Sequence, residues 1–182
     1  MSCVVLDMGH GPGSTSPRGA TFGRFVERDL VEDYVGAAID YLTNRGVAVT
    51  LRRAGPYEDR QTGWQVDGAD LYVSCHVNSA DPLPRTPYAL GLYYHTAHAI
   101  TSAEIMAGFA SHVKIDRYLM GVAGSKDWPR GASCIKHVPE HVPAMIFEPF
   151  LINHDKHSRF RSGHGLESIG VGLAKGILRA LK

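Results

Sequence analysis

Four side chains of this sequence could together bind a metal ion and move a proton: His10, Glu27, His76 and Glu148. Two imidazoles and one carboxylate can hold a zinc ion and leave a position open for water, and a second carboxylate can then act as the base. Taken singly, each residue has a simpler explanation, such as a turn histidine, a carboxylate at a helix N-terminus or a hydrogen-bonded interior histidine. The chemistry therefore requires that the four side chains converge in space.

Glu148 is the hardest of the four to explain without a function. It directly follows the apolar residues 144–147 and precedes Pro149, so we expect its carboxylate to lie almost buried. Burying a carboxylate away from water costs free energy unless a partner compensates for it. A partner is therefore expected beside this side chain.

The pattern of apolar residues predicts strands that alternate with helices. Short apolar runs predict strands at residues 3–6, 47–51, 71–75, 90–94, 135–138 and 144–147. Apolar residues at helical spacing predict helices from Glu27 up to the stop signal at 44–46, at 102–113, and at the C-terminus through 166–181. The glycine-rich stretch 118–131 has no clear pattern. This alternation predicts a single α/β domain over residues 1–182, with a mostly parallel twisted sheet and helices on both faces.

This topology predicts where the four residues lie. In open α/β sheets, functional sites form beyond the carboxyl ends of the strands. His10, His76 and Glu148 each follow a predicted strand, and Glu27 opens the helix that comes after the first strand. We therefore expect all four at one edge of the sheet, with Asp7 or a neighbouring backbone carbonyl orienting a ligand imidazole.

Composition and charge exclude several classes of function. The sequence is 44% hydrophobic and 20% charged with a net charge of +1, so charge gives no case for nucleic acid or an acidic membrane as partner. Its three cysteines are an odd number at scattered positions, which argues against a disulfide framework. No segment approaches the roughly 18 apolar residues of a membrane span, and the N-terminus lacks the basic region of a signal peptide. We expect a monomer without stable membrane association.

The motifs around the four residues resemble a known family. Residues 4–11, Glu27, residues 74–79 and residues 143–153 look like the zinc-dependent N-acetylmuramoyl-L-alanine amidases of the Amidase_3 type, in order and over nearly the whole chain. Met8 stands where the family usually has proline, and Pro12 where a second glycine is common. In residues 50–52, a leucine separates the threonine and the arginine that form a pair in the family. These departures affect loop geometry and the fit of the substrate, and none removes a metal ligand.

The resemblance implies a role for each residue. His10, Glu27 and His76 would bind one zinc ion per chain, and Glu148 would be the catalytic carboxylate. The implied reaction is hydrolysis of the amide between N-acetylmuramic acid and L-alanine in peptidoglycan, which degrades the cell wall. Since no signal peptide is visible, we expect an endolysin-like protein that is made in the cytoplasm and acts on the wall after release; a catalytic part of a larger exported precursor is the alternative. No separate wall-binding domain is expected within 1–182, so affinity would come from the cleft.

Three other interpretations compete with this one. Cys75 next to His76 could indicate a cysteine enzyme, although neighbouring strand residues point to opposite faces of a sheet. The loop at residues 9–14 could bind phosphate, although it matches neither the dinucleotide fingerprint nor the P-loop. An amidase-like protein could also bind the wall without hydrolysing it. Zinc content and sensitivity to a chelator separate a metalloenzyme from a phosphate-binding module.

Candidate substrate contacts come from the loops. Residues 79–87 and 120–141 are the expected walls of the cleft, and Tyr88, Trp128 and Arg130 could contact the sugar or the stem peptide, although aromatic loop residues are as often simple surface packing. Six further histidines could line the cleft or touch substrate: His95, His98, His137, His141, His154 and His157.

Overall fold

Six strands pair into one sheet in the computed structural model, which describes residues 1–182. The strands are β1 (Cys3–Met8), β2 (Thr21–Phe22), β3 (Phe25–Val26), β4 (Ala48–Arg52), β5 (Leu71–Cys75), β6 (Ala89–Tyr93), β7 (Tyr118–Val122) and β8 (Ala144–Glu148), of which β2 and β3 form a separate antiparallel pair. The helices are α1 (Glu27–Thr43), α2 (Tyr57–Arg60), α3 (Trp64–Asp67), α4 (Ala99–His112) and α5 (Gly163–Ala180). Short 3-10 helices lie at Thr96–His98, Ala132–Cys134 and Asp155–Phe160. None of the helices is long and apolar enough to span a lipid bilayer.

The order of the strands in the sheet is β4-β1-β5-β8-β6-β7. Strands β4, β1, β5 and β8 run parallel to one another, β6 runs antiparallel to β8, and β7 is parallel to β6. The prediction of a mostly parallel α/β sheet is therefore confirmed. Strand β5 shows the physical reason, because all five of its residues are buried and a strand covered on both faces reads as a nearly continuous apolar run.

Side chains of the central strands alternate between two apolar clusters, one on each face of the sheet. In β1, Val4 and Leu6 belong to a cluster of 29 buried residues, whereas Val5 belongs to a cluster of 13. Helices α1, α4 and α5 cover the larger cluster. The smaller cluster lies under α3 and residues 132–142. Helices thus flank both faces of the sheet, as predicted, and those on the second face are short.

Two segments differ from the sequence-based expectation. Residues 118–122, which show no clear apolar pattern, form the edge strand β7, whose side chains are all half-buried or exposed. Residues 135–138 were expected to be a strand and instead form turns. Ile135 and Val138 are apolar because both are buried in the smaller cluster. A short apolar run indicates burial and does not by itself distinguish a strand from a buried turn.

The parallel central strands determine where the candidate site lies. β1, β5 and β8 are neighbours in the sheet and run in the same direction, so their carboxyl ends meet at one edge. His10 and His76 follow β1 and β5, and Glu148 is the last residue of β8. Helix α1 begins with Glu27. The strand order brings the four residues to the same edge of the sheet.

Candidate metal centre

His10, Glu27 and His76 form a compact group in which one ligand atom from each residue lies within 4.8 Å of the others. Nε2 of His10 is 3.3 Å from Oε1 of Glu27, and Nδ1 of His76 is 3.1 Å from the same oxygen. Ligand atoms bound tetrahedrally at about 2.0–2.1 Å from a zinc ion are separated by about 3.3 Å. The two measured separations are close to this value, so the group has the dimensions of a zinc site.

The carboxylate of Glu27 is held in place by the backbone. Its Oε2 accepts a hydrogen bond from the amide of Ala20 at 2.8 Å, and its Oε1 accepts one from the amide of Val77 at 3.0 Å. Burial raises the pKa of Glu27, but hydrogen bonds with His10 and His76 outweigh burial and hold this pKa well below its ordinary value. Glu27 is therefore an oriented, ionised carboxylate in a buried position.

The hydrogen bond of His10 determines which of its nitrogens can bind a metal. Nδ1 of His10 lies 2.6 Å from the carbonyl oxygen of Ser16. Because a carbonyl only accepts hydrogen bonds, Nδ1 must carry a proton, which leaves Nε2 as the nitrogen that can bind a metal. The Ser16 carbonyl therefore plays the orienting role that we expected from Asp7 or a backbone carbonyl.

His76 is fixed from several sides and has an unpaired ring nitrogen. Its carbonyl accepts a hydrogen bond from Tyr34 at 3.0 Å, and a Cβ at Gly9 would lie 2.2 Å from the imidazole, so only glycine fits there. Nε2 of His76 is buried without a hydrogen-bond partner. Burial disfavours the imidazolium of His76, but neighbouring Cys134 and Glu27 outweigh burial and raise its pKa well above the ordinary value. The environment thus favours positive charge at this point, and the donor set of two imidazoles and a carboxylate fits zinc.

Glu148 lines the same cavity as the three candidate ligands. Burial raises the pKa of its carboxyl group to about 7, while positive charge on His76 and His10 acts in the opposite direction. A carboxylate with a pKa near neutrality can both accept and return a proton at physiological pH. A general base requires both a place in the cavity and a pKa near the working pH.

The cavity around these residues has a volume of about 720 Å³. One part of its lining is the loop that follows β1, represented by Thr15, Ser16, Gly19 and Ala20. Another part comes from Tyr88, residues 128–131, Ser133 and Cys134, so the expected contacts Tyr88, Trp128 and Arg130 all line the cavity. Of residues 79–87, only Ser79 does so.

The six further histidines do not line this cavity. The buried imidazole of His98 connects to the backbone at two positions. Its Nε2 contacts the carbonyl of Glu140 at 2.8 Å, and its Nδ1 accepts a hydrogen bond from the amide of Ala144 at 3.2 Å. His154 contacts the carbonyl of Pro84 through Nε2. His137 lies close to Gln61, which accepts from its backbone amide. The side chains of His98 and His154 therefore connect segments of the chain through hydrogen bonds, and their residue type alone did not distinguish them from site residues.

Two of the competing interpretations meet physical obstacles. Cys75 is fully buried in the larger apolar cluster, on the far side of the sheet from the cavity, and burial raises the pKa of its thiol to about 12. A thiol that stays protonated cannot act as a nucleophile at neutral pH. In the loop at residues 9–14, the amides of Gly9 and Ser14 already donate to the carbonyls of Cys75 and Gly11, so they are not free to bind phosphate.

Arg60 is a structural residue of the site that the sequence did not indicate. Its guanidinium is 2% exposed and lies 2.7 Å from Oδ1 of Asp7, and it also donates to the carbonyls of Met8 and Gly9. These bonds join α2 to the chain directly before His10. Asp7 therefore fixes the end of β1 through Arg60 and does not contact a ligand imidazole through its hydrogen bonds.

We expect the Arg60→Met variant to lose about 3–5 kcal/mol of unfolding free energy, because the substitution leaves the Asp7 carboxylate buried without its charge partner. Urea denaturation of the variant and the wild type measures the difference. Arg53→Met is the matched control: Arg53 is exposed and its nitrogen lies 3.7 Å from Glu32, so its loss should change stability by less than about 1 kcal/mol. Equal effects of the two substitutions would contradict the role of Arg60.

His157 makes the stability of the fold depend on pH. It is 2% exposed, and its Nδ1 accepts a hydrogen bond from the amide of Leu151 at 2.9 Å, which requires a neutral ring. Burial and the nearby His154 lower the pKa of His157 to about 4. The unfolded chain binds this proton near pH 6.5, so the stability contributed by neutral His157 is present above that pH and is lost as the pH falls towards 4.

We expect His157 to account for a loss of about 2 kcal/mol in unfolding free energy between pH 7 and pH 5. The comparison is between wild type and His157→Gln, whose stability should change less over this interval. His164→Gln is the control, because the side chain of His164 is fully exposed. The assignment fails if His157→Gln and wild type lose the same free energy in urea titrations at the two pH values.

The chain is similar to known proteins in both its sequence and its fold. A family model described as N-acetylmuramoyl-L-alanine amidase matches residues 4–179. The fold is similar to the amidase AmiC2 of Nostoc punctiforme, with a TM-score of 0.80 and 20% identity over 99% of this chain and 97% of that one. It is also similar to the catalytic domain of the amidase CwlV from Bacillus (Paenibacillus) polymyxa var. colistinus, with a TM-score of 0.80 and 19% identity over 100% and 98% of the two chains.

A third similar structure is the catalytic domain of CD27L, an endolysin that targets Clostridia difficile. It aligns with a TM-score of 0.69 and 15% identity over 98% of this chain and 97% of that chain. At these identities the structural likeness shows the fold, whereas the family model covers nearly the whole sequence. No curated protein sequence gives a significant match.

Proposed function

This chain belongs to the N-acetylmuramoyl-L-alanine amidase family, and from that premise we propose how it hydrolyses the amide between N-acetylmuramic acid and L-alanine in peptidoglycan. His10, Glu27 and His76 hold one zinc ion, and Glu148 is the general base. The observation that supports the metal most directly is the spacing of the three proposed ligands, since Nε2 of His10 and Nδ1 of His76 lie 3.3 Å and 3.1 Å from Oε1 of Glu27. When bound, zinc acidifies water to a pKa of about 7 and polarises a carbonyl group.

The protein residues around the metal keep its ligands oriented. Ser16 fixes the tautomer of His10, and the amides of Ala20 and Val77 fix the carboxylate of Glu27. These contacts come from two segments that are far apart in the sequence, the loop after β1 and the residue that follows His76, so the ligand geometry depends on the tertiary fold. Ligands held in advance require no reorganisation during the reaction.

Glu148 carries the proton through the reaction. It takes a proton from the attacking water as the water oxygen bonds to the lactyl carbonyl carbon. It then gives that proton to the departing nitrogen of L-alanine as the C–N bond breaks. The products are a free lactyl carboxylate on the sugar and a stem peptide with a free amino terminus. A pKa of about 7 for Glu148 suits both transfers.

Digestion of a defined muropeptide tests this proposal. Zinc-loaded protein acting on N-acetylmuramoyl-L-alanyl-D-isoglutamine should give N-acetylmuramic acid and L-alanyl-D-isoglutamine, identified by mass spectrometry. Glu148→Gln protein purified in the same way serves as the control for contaminating hydrolases. Cleavage of purified wall within the peptide or the glycan, in place of the lactyl amide, would contradict the proposal.

We propose further that residues 1–182 act as a single monomeric catalytic unit with an endolysin-like role in wall lysis. The similarity to the catalytic domain of an endolysin supports this role. The expected result is that cells producing the protein in their cytoplasm remain intact until the inner membrane is permeabilised, and then lyse. Lysis without permeabilisation would favour a role as an exported wall hydrolase, and gel filtration of the pure protein measures its oligomeric state.

A further inference from the structure

We propose that Tyr88 and Trp128 form the sugar side of the cleft, against which the apolar face of the muramic acid ring lies during cleavage. We call this pair the aromatic wall. The proposal rests on the proposed function, because it assigns the two halves of the amidase substrate to the two sides of one cavity. It predicts that the enzyme recognises the sugar and not the peptide alone.

The strand order separates the aromatic wall from the side of the cleft that carries His10. Tyr88 directly precedes β6, whereas His10 follows β1, and strands β5 and β8 lie between them. Neighbouring strands are about 4.8 Å apart, so three spacings put roughly 14 Å between the end of β1 and the start of β6, which runs in the opposite direction. Glu148 lies between them, at the end of β8 and paired with Leu90 of β6. The cleft therefore runs across the strand ends with the proposed base between its two sides.

The aromatic wall is rigid. The rings of Tyr88 and Trp128 meet edge to face, with centroids 6.2 Å apart and an interplanar angle of 66°. The indole lies directly on the backbone of β7, since a Cβ at Gly121 would be 2.1 Å from Cδ1 of Trp128. The carbonyl of Trp128 accepts from the amide of Gly124 at 2.8 Å, and its amide donates to the hydroxyl of Ser125 at 3.2 Å. Rigid aromatic side chains bind ligands with little loss of conformational entropy.

The opposite side of the cleft has a different character. The loop after β1 contributes Thr15, Ser16, Gly19 and Ala20, which are small residues without an aromatic ring, and the third aromatic residue of the cavity, Tyr57, has its ring 6.2 Å from that of His76. Such a surface offers backbone groups to an extended peptide. One face of a pyranose ring carries axial C–H bonds with partial positive charge, and the negative face of an aromatic ring attracts them. The scissile amide joins a sugar to a peptide. When this amide lies beside Glu148, the sugar and the peptide extend from it in opposite directions, and the sugar fits the aromatic side of the cleft.

Trp128 also packs against the smaller apolar cluster, and a purely structural role would explain its burial. A substrate without the sugar separates the two roles. The test compares kcat/KM for N-acetylmuramoyl-L-alanyl-D-isoglutamine with kcat/KM for D-lactyl-L-alanyl-D-isoglutamine, using zinc-loaded protein. Wild type should prefer the sugar-bearing substrate. Trp128→Ala should lower kcat/KM for that substrate by about tenfold or more, chiefly through a higher KM. It should change kcat/KM for the sugar-free substrate by less than about twofold.

Trp64→Ala is the matched control, since Trp64 is 80% exposed and does not line the cavity. The Trp64→Ala variant should have the wild-type kcat/KM for both substrates. An equal loss on both substrates in Trp128→Ala, or no preference for the sugar in wild type, would overturn the aromatic wall while leaving the proposed hydrolysis intact. If wild type cleaved neither substrate and no lactyl amide in purified wall, the proposed function itself would fail.

A binding measurement covers the case in which Trp128→Ala does not fold. The chain has two tryptophans, so Trp64→Phe leaves Trp128 as the single indole fluorophore. In zinc-loaded Trp64→Phe/Glu148→Gln protein, which binds without turnover, emission should change saturably with the sugar-bearing substrate and not with the sugar-free one. Trp128→Phe/Glu148→Gln protein should show no change with either. A response to both substrates would place the peptide on this wall and overturn the inference.

Discussion

Removing zinc with a chelator is expected to abolish hydrolysis, and one equivalent of zinc per chain is expected to restore it. The largest effect of a single substitution should come from His76→Ala, which removes a buried side chain of the proposed ligand set. We expect activity to fall on the order of a thousandfold or more, because both water activation and carbonyl polarisation depend on the metal. Metal analysis after dialysis and a muropeptide assay measure the two quantities together.

A histidine outside the site provides the control for this substitution. His164→Ala should retain one zinc and full activity, because the side chain of His164 is fully exposed on α5. Zinc affinity of the wild type should also fall as the pH is lowered, since an imidazole must be neutral to bind a metal. A His76→Ala protein that bound one zinc with wild-type affinity would show that the ligand set is wrong.

The sequence could predict the sheet and the strand ends because both depend on the burial of continuous apolar segments. β1, β5 and β8 are covered on both faces, so most of their residues are apolar, and the polar residues at or just after their ends stood out. β7 could not be predicted, because an edge strand with partly exposed side chains has no need of an apolar pattern. The turn at residues 135–138 looked like a strand for the opposite reason, since its apolar side chains fill the smaller cluster.

Sequence patterns could not predict the contacts that orient the side chains of the candidate site. The carbonyl of Ser16 and the amides of Ala20 and Val77 orient the ligands, and backbone groups are the same at every position of a sequence. Arg60 lies 53 residues from its partner Asp7, and nothing local indicates that the two would be buried together. Residue type and strand-end position therefore indicate candidate ligands, whereas their tautomers and supporting contacts come from the tertiary structure.

Replacing Glu148 should separate catalysis from metal binding. In Glu148→Gln the side chain keeps its size but can no longer accept a proton, so we expect kcat/KM to fall by about 10²–10⁴-fold. The zinc content should remain at one per chain, because Glu148 is not among the three clustered residues that we propose as ligands. Glu148→Asp keeps the carboxylate but draws it back from the substrate, so it should retain more activity than Glu148→Gln.

The pH profile distinguishes a proton carrier from a residue that only shapes the cleft. Glu148 must be ionised to accept a proton, and burial raises its pKa to about 7. Wild-type kcat/KM should therefore fall on the acid side, with a midpoint at or below about pH 7, since the positive charge of bound zinc favours the carboxylate. The residual activity of Glu148→Gln should lack this decline within the pH range in which zinc stays bound. If Glu148→Gln kept the acid limb with the wild-type midpoint, the titrating group would be another residue, and Glu148 would not be the base.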